Sequence, residues 1–154
     1  MNIHQEILAK SEQNGRVCLH QHLKNVADTA RVMAKHQGFD EQIAVEGALL
    51  HDIGKASPVF QQSLISPNKK KPGSVFRHEI ASLFFLSLVC KQHRDAVIDM
   101  IVAHHKSMYK DVRDMGILDL DDTTDCFEEH SKFFSEWSHI VIDILESQIG
   151  IAHV

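Results

Sequence analysis

The chain has 154 residues, 44% hydrophobic and 24% charged, a size and balance that suit one globular domain spanning 1–154 and exclude a disordered or fibrous protein. Its net charge of -5 gives no support to a partner held by bulk electrostatics, as nucleic acid would be, though an acidic site can still hold phosphates through metal ions. The longest apolar run, Ile80 to Cys90, is eleven residues against the ~20 needed to cross a bilayer, so no membrane association is expected.

The periodicity is helical almost throughout and predicts an all-α fold, a helical bundle. The N-terminal stretch Met1 to Arg16 is polar, carries Glu6 and Glu12, and does not read as a signal peptide. The first helix is expected over Val17 to Gln37, with apolar Leu19, Leu23, Val26, Ala27, Ala30, Val32, Met33 and Ala34, ending at Gly38. Asp40 caps a second helix that runs through Ile43, Ala44, Ala48, Leu49 and Leu50 to the neighbourhood of Gly54. Ser57-Pro58 opens a short helix over Val59 to Ile65. Ser66 to Ser74, with two prolines, a glycine and Lys69-Lys70-Lys71, reads as a loop; such a lysine run is more often solvated than bound to a nucleic-acid backbone. Apolar helices are expected from Phe76 to Cys90 and from Arg94 or Asp95 to His105. Lys106 to Asp125 reads as irregular, and an amphipathic helix covers Phe127 to Ile149. Cys18, Cys90 and Cys126 are odd in number and widely spaced, which argues against disulfides and cysteine zinc sites and for a reducing, cytoplasmic setting.

Histidine is the unusual residue, at 12 copies. His51 and Asp52 stand side by side at the end of an apolar helix. Adjacent helical residues point ~100° apart, so both are buried only if they converge on something between them. A divalent metal ion fits, because imidazole and carboxylate are its natural ligands and a carboxylate can bridge two ions. Gly54 lets the chain turn after the pair, and Lys55 then comes close enough to neutralise phosphate charge. Alone, a His-Asp dipeptide is more often a helix end on the surface.

His104-His105 ends another apolar helix; the two could bind one ion if the helix unwinds, or serve different partners. His78, in Arg77-His78-Glu79, starts a helix, and His22 borders the Leu23–Val26–Ala27 stripe. Each of these is individually a weak signal. Together, His22, His51, Asp52, His78, His104 and His105 exceed the four ligands of a structural zinc. They point to a two-metal centre drawn from several helices, suited to phosphoryl displacement. Gly47 to Lys55 is no phosphate loop: the glycine spacing is wrong and Ala56 stands where Ser or Thr should be.

In that order, His22, His51-Asp52-x-Gly54-Lys55, Arg77-His78-Glu79 and His104-His105 resemble the HD superfamily. They are most similar to the HD nuclease domain of the CRISPR-associated helicase-nuclease of type I systems, notably in His22-Leu-x-Asn25-Val26-Ala27 and in His51-Asp-Ile-Gly-Lys55-Ala-Ser-Pro-x-Phe60-Gln61. The resemblance spans roughly Arg16 to Ser107. It implies a helical domain that cuts single-stranded DNA with transition metals, in concert with a helicase region or subunit and the RNA-guided effector complex. It implies His22, His51 and Asp52 at one ion, Asp52, His78, His104 and His105 at a second, and Lys55 at the phosphate. Ligand chemistry admits manganese, iron, cobalt, nickel or zinc, and magnesium is kept as a further candidate outside that preference. The family's late aspartate has no counterpart: Asp111, Asp114, Asp119, Asp121, Asp122, Asp125 and Asp143 all lack its small-residue helical context, as they would in a divergent chain or one truncated before it. Two other readings stay open: an HD phosphohydrolase acting on a nucleotide or small phosphoester, which needs only His22, His51 and Asp52, and a metal-stabilised interaction domain.

Overall fold

The computed structural model describes residues 7–65, 76–104 and 127–149. It begins with a hairpin that the sequence pattern does not announce. Strand β1 (Leu8–Lys10) pairs antiparallel with β2 (Val17–Cys18), Leu8 opposite Cys18 and Lys10 opposite Val17, with a bulge between them. Strands this short carry too few residues for a period of two to register. Val17 and Cys18 therefore belong to the hairpin, and helix α1 (Leu19–Gln37) starts at Leu19.

Leu19, Leu23, Ala27 and Ala34 form the buried stripe of α1, while Val32 and Met33 lie off it and are exposed. The helix ends at Gly38, whose φ of 72° is the left-handed conformation glycine adopts freely, and its N–H bonds back to the Ala34 and Lys35 carbonyls. Helix α2 (Glu41–Leu50) is capped by Asp40, whose carboxylate accepts from Gln42 N (2.8 Å) and Ile43 N (3.0 Å). It packs between α1 and α5 (Arg94–Ala103).

The expected continuation of α2 to Gly54 does not occur. The helix stops at Leu50, Asp52 leaves helical geometry at φ -117°, ψ 4°, and Ile53–Ala56 wind into a 3-10 turn. Gly54 serves closeness rather than a sharp bend. A Cβ there would collide with the His78 carbonyl oxygen and lie 2.8 Å from Ser82 N, so only glycine lets the turn seat against α4 (His78–Ser82). The Gly54 N–H donates to the buried Ser82 Oγ at 2.9 Å. Helix α3 (Pro58–Ile65) follows, and its Gln61 side chain bonds both backbone groups of Leu8 and the Lys55 carbonyl, tying the hairpin to the turn.

Two expected helices are broken. The stretch 76–90 contains only the short α4 followed by a 3-10 run, Leu83–Leu88. A run apolar on every side specifies burial without specifying a period. The stretch 127–149 divides into α6 (Phe127–Ser131) and α7 (Phe134–Ile149) at Phe133, which is exposed and has a φ of 62°. On either side of this break Phe127 and Phe134 both meet the Phe84 ring, and Phe134 also meets Phe85 and Trp137. Trp137, Val141, Ile144 and Leu145 form the buried stripe of α7. These side chains join Leu19, Leu23, Leu49, Leu50, Ile53, Val97 and Ile101 in one core. Among the described residues the fold is all-α apart from the hairpin, and no helix is long and apolar enough to cross a membrane.

Candidate metal centre

The site forms where four elements end or begin around Asp52. Burial of Ala48, Leu49 and Leu50 drives the C-terminus of α2 into the core and carries His51 and Asp52 with it; Asp52 is only 3% exposed. His22 comes from the first turns of α1, His78 opens α4, and His104 caps the C-terminus of α5.

Five side chains converge on the two oxygens of Asp52. Oδ2 lies 2.8 Å from His22 Nε2, 3.2 Å from His51 Nε2 and 2.6 Å from Lys55 Nζ. Oδ1 lies 2.9 Å from His78 Nε2 and 3.4 Å from His104 Nε2. The imidazoles form a chain of ring contacts, His22 to His51 at 5.3 Å, His51 to His104 at 5.1 Å and His104 to His78 at 5.5 Å. The ligand atoms fall into two groups, His22–His51–Asp52 and Asp52–His78–His104, each with its atoms within 4.8 Å of one another. Asp52 belongs to both.

Backbone bonds fix which way two of these rings face. His51 Nδ1 meets the Ala48 carbonyl and His104 Nδ1 the Ile101 carbonyl, in each case the residue three back at a helix end where carbonyls lack helical partners. A carbonyl only accepts, so Nδ1 carries the proton and a neutral ring turns its Nε2 lone pair toward Asp52. Burial by itself would push the Asp52 carboxyl up; were the Nε2 atoms to carry protons, hydrogen bonding from His104, His22, His51 and His78 would hold it far below the usual carboxylate range. Among the described residues no donor meets Asp52 Oδ1 with hydrogen-bond geometry. Nitrogen lone pairs aimed at an anion repel it unless a cation lies between. Bound protons would make the rings like-charged neighbours, whereas divalent ions satisfy every atom at once. The mixed nitrogen and oxygen donor set therefore fits a divalent transition metal. Since the ligands must be deprotonated, uptake would release protons and weaken as pH falls.

Of the residues singled out from the sequence, His22, His51, Asp52, Lys55, His78 and His104 are brought together here. His105 lies outside the described residues, as do Asp111 to Asp125. Asp143 is exposed on α7, and among the described residues Asp52 is the one carboxylate in either group. His20 joins neither group; its carbonyl accepts from Gln148 Nε2 at 2.6 Å.

Supporting residues emerge that ligand-hunting does not find. Ser82 fastens the turn after Asp52 to α4. Glu79 is buried, accepts from Arg77 Nε at 2.7 Å, and faces His78 Nδ1 at 3.7 Å. The fully buried His130 accepts the Arg77 backbone N–H at 2.9 Å, 53 positions away in sequence, a separation over which no local pattern could have pointed to it. Phe60 stands edge-on to His78, with Lys55 Nζ 5.8 Å from its ring centre.

The HD domain family matches residues 19–135, well over half of the chain, and the chain belongs to that family. Most of its members are metal-dependent hydrolases, and HD domains bind divalent metals. No curated protein and no solved structure matches the chain.

Proposed function

We propose that this HD domain is a two-ion phosphohydrolase acting on phosphodiester bonds of single-stranded DNA. One ion would be held by His22, His51 and Asp52, and the other by Asp52, His78 and His104, with His105 a further candidate for the second from the sequence resemblance alone. The observation that carries this reading is the division of Asp52, Oδ2 toward one trio and Oδ1 toward the other. A single-ion site would leave the His78–His104 side without a purpose. The ions, when bound, would polarise the phosphoryl oxygens and activate water for in-line attack.

The chain's own residues set the rest. Asp52, kept ionised, supplies negative charge to both positions. The Nδ1 bonds of His51 and His104 hold their rings in the tautomer that presents Nε2. Lys55, beside Oδ2, brings an ammonium to where a phosphoryl oxygen would approach. The sequence resemblance supports single-stranded DNA as substrate, and a helicase region or subunit with the RNA-guided effector complex as partners.

The test uses the purified protein with circular single-stranded DNA and Mn²⁺ or Ni²⁺. Cleavage is expected from the wild type and is expected to disappear in His51→Ala and Asp52→Ala. Hydrolysis of nucleotides with no cleavage of DNA would replace this substrate with a small phosphoester. Bound metal with no hydrolysis of any phosphoester would make the domain a metal-stabilised interaction module.

A further inference from the structure

Of the inward-facing imidazoles, His51 and His104 sit at helix C-termini, where spare carbonyls take their Nδ1 protons. His78 sits instead at the N-terminus of α4, where the helix offers N–H groups rather than carbonyls. A metal-ligating histidine needs an acceptor behind it to fix its tautomer and orientation. Glu79 is placed to be that acceptor. Its carboxylate is buried, Oε1 is committed to Arg77 Nε at 2.7 Å, and Oε2 is aimed at His78 Nδ1 from 3.7 Å. That distance is within ion-pair range but longer than a hydrogen bond, so a small rotation of the His78 ring is needed to close it. Arg77 is itself buried, and its backbone N–H is held by His130 Nε2, which keeps the base of this arrangement still. A buried Arg–Glu pair is expensive to desolvate and rarely a source of stability, so one whose second oxygen faces a ligand imidazole calls for a functional account.

We infer that Glu79 is the positioning residue of His78, accepting its Nδ1–H so that the Nε2 lone pair faces the Asp52 Oδ1 side. The inference rests on the two-ion reading above and deepens it, because it makes the two positions unequal. The His22–His51 position is backed by a neutral carbonyl behind His51, whereas the His78–His104 position has a charged carboxylate behind one of its rings. That carboxylate raises ligand basicity at the second position alone.

The experiment is a Mn²⁺ titration of the full chain, wild type against Glu79→Gln, with free Mn²⁺ read by electron paramagnetic resonance. The wild type is expected to bind two ions. In Glu79→Gln one of the two should weaken about 10- to 100-fold, and the other should weaken clearly less, because only Asp52 links the two positions. Two ions bound as tightly as in the wild type, or both weakened alike, would overturn the inference and leave the two-ion reading standing. A wild type that binds fewer than two ions would instead overturn the reading beneath it. A second measurement does not depend on the variant folding. In the zinc-loaded wild type, the His78 Nδ1–H proton should resonate further downfield than those of His51 and His104, because a charged acceptor makes the stronger bond. Equal positions for the three protons would overturn the inference.

Discussion

Gly54→Ala tests the idea that the site depends on how closely the turn after Asp52 seats against α4. The added methyl would collide with the His78 carbonyl oxygen, lie 2.8 Å from Ser82 N and touch Ala81 Cβ at 3.0 Å. Two of these atoms are backbone and cannot rotate away. A comfortable carbon–oxygen contact is ~3.3 Å, so the turn must retreat by on the order of 1 Å. Overpacking of this kind costs about 1–3 kcal/mol. The retreat also stretches the buried Gly54 N–H···Oγ Ser82 bond, whose loss is worth about 1–3 kcal/mol more. The sum is about 2–6 kcal/mol. At the ~2–4 °C per kcal/mol of a domain this size, thermal unfolding of the metal-free variant should fall by roughly 4–24 °C. Asp52 and Lys55 ride on the retreating turn while His78 does not, and a site tolerates only ~0.5 Å of error. Metal affinity should therefore drop in the fraction of the variant that remains folded. A variant that melts within about 2 °C of wild type and binds metal equally would refute the close-seating account of Gly54.

Gly47→Ala is the contrasting case. There a new Cβ would meet the thioether end of Met100, which is flexible and 36% exposed, so it can swing aside while α2 gains about 0.5–1 kcal/mol of helix propensity. Differential scanning calorimetry should show unchanged or slightly raised stability, and a clear loss would mean that Met100 is fixed. Asp40 supplies a pH dependence. Hydrogen bonding to Ile43 N, and then to Gln42 N, holds its carboxyl below the usual range. A depressed carboxyl stabilises the fold above its unfolded value of ~3.9, and that contribution is lost as pH falls through the folded value. The stability gap between wild type and Asp40→Ala, measured by urea unfolding, should be constant from about pH 8 to pH 5 and narrow below about pH 4. A gap that already changes between about pH 7 and 5 would mean that another group is titrating.

Much of the helical frame is legible because its signals are local. Gly38 and Asp40 each act within one turn, and both end and start helices as the pattern predicts. The misses occur where local signal is absent or misleading. Leu83 to Leu88 is apolar but for Ser87, so its pattern does not distinguish a helix from a 3-10 run. The break at Phe133 falls inside a sequence that would make an acceptable continuous amphipathic helix. What divides it is tertiary, the aromatic cluster of Phe84, Phe85, Phe127, Phe134 and Trp137.

The candidate site divides along the same line. The histidines are legible because each interrupts an apolar pattern at a helix end, and convergence at such ends is how bundles assemble ligands. What the linear pattern does not contain is the order imposed at Asp52. Its two oxygens take different neighbours only because α2 stops one residue before His51 and the chain leaves helical geometry at Asp52 itself. Had α2 continued to Gly54, His51 and Asp52 would have pointed ~100° apart, and a single carboxylate could not have faced both α1 and α4. The early stop is enforced from outside the segment, by Ser82 taking the Gly54 N–H and by α4 pressing against a glycine with no side chain to resist it. Asp52 therefore faces both groups of imidazoles through a contact that spans 28 residues of sequence, and the same contact makes Gly54 as necessary to the candidate site as the side chains that line it.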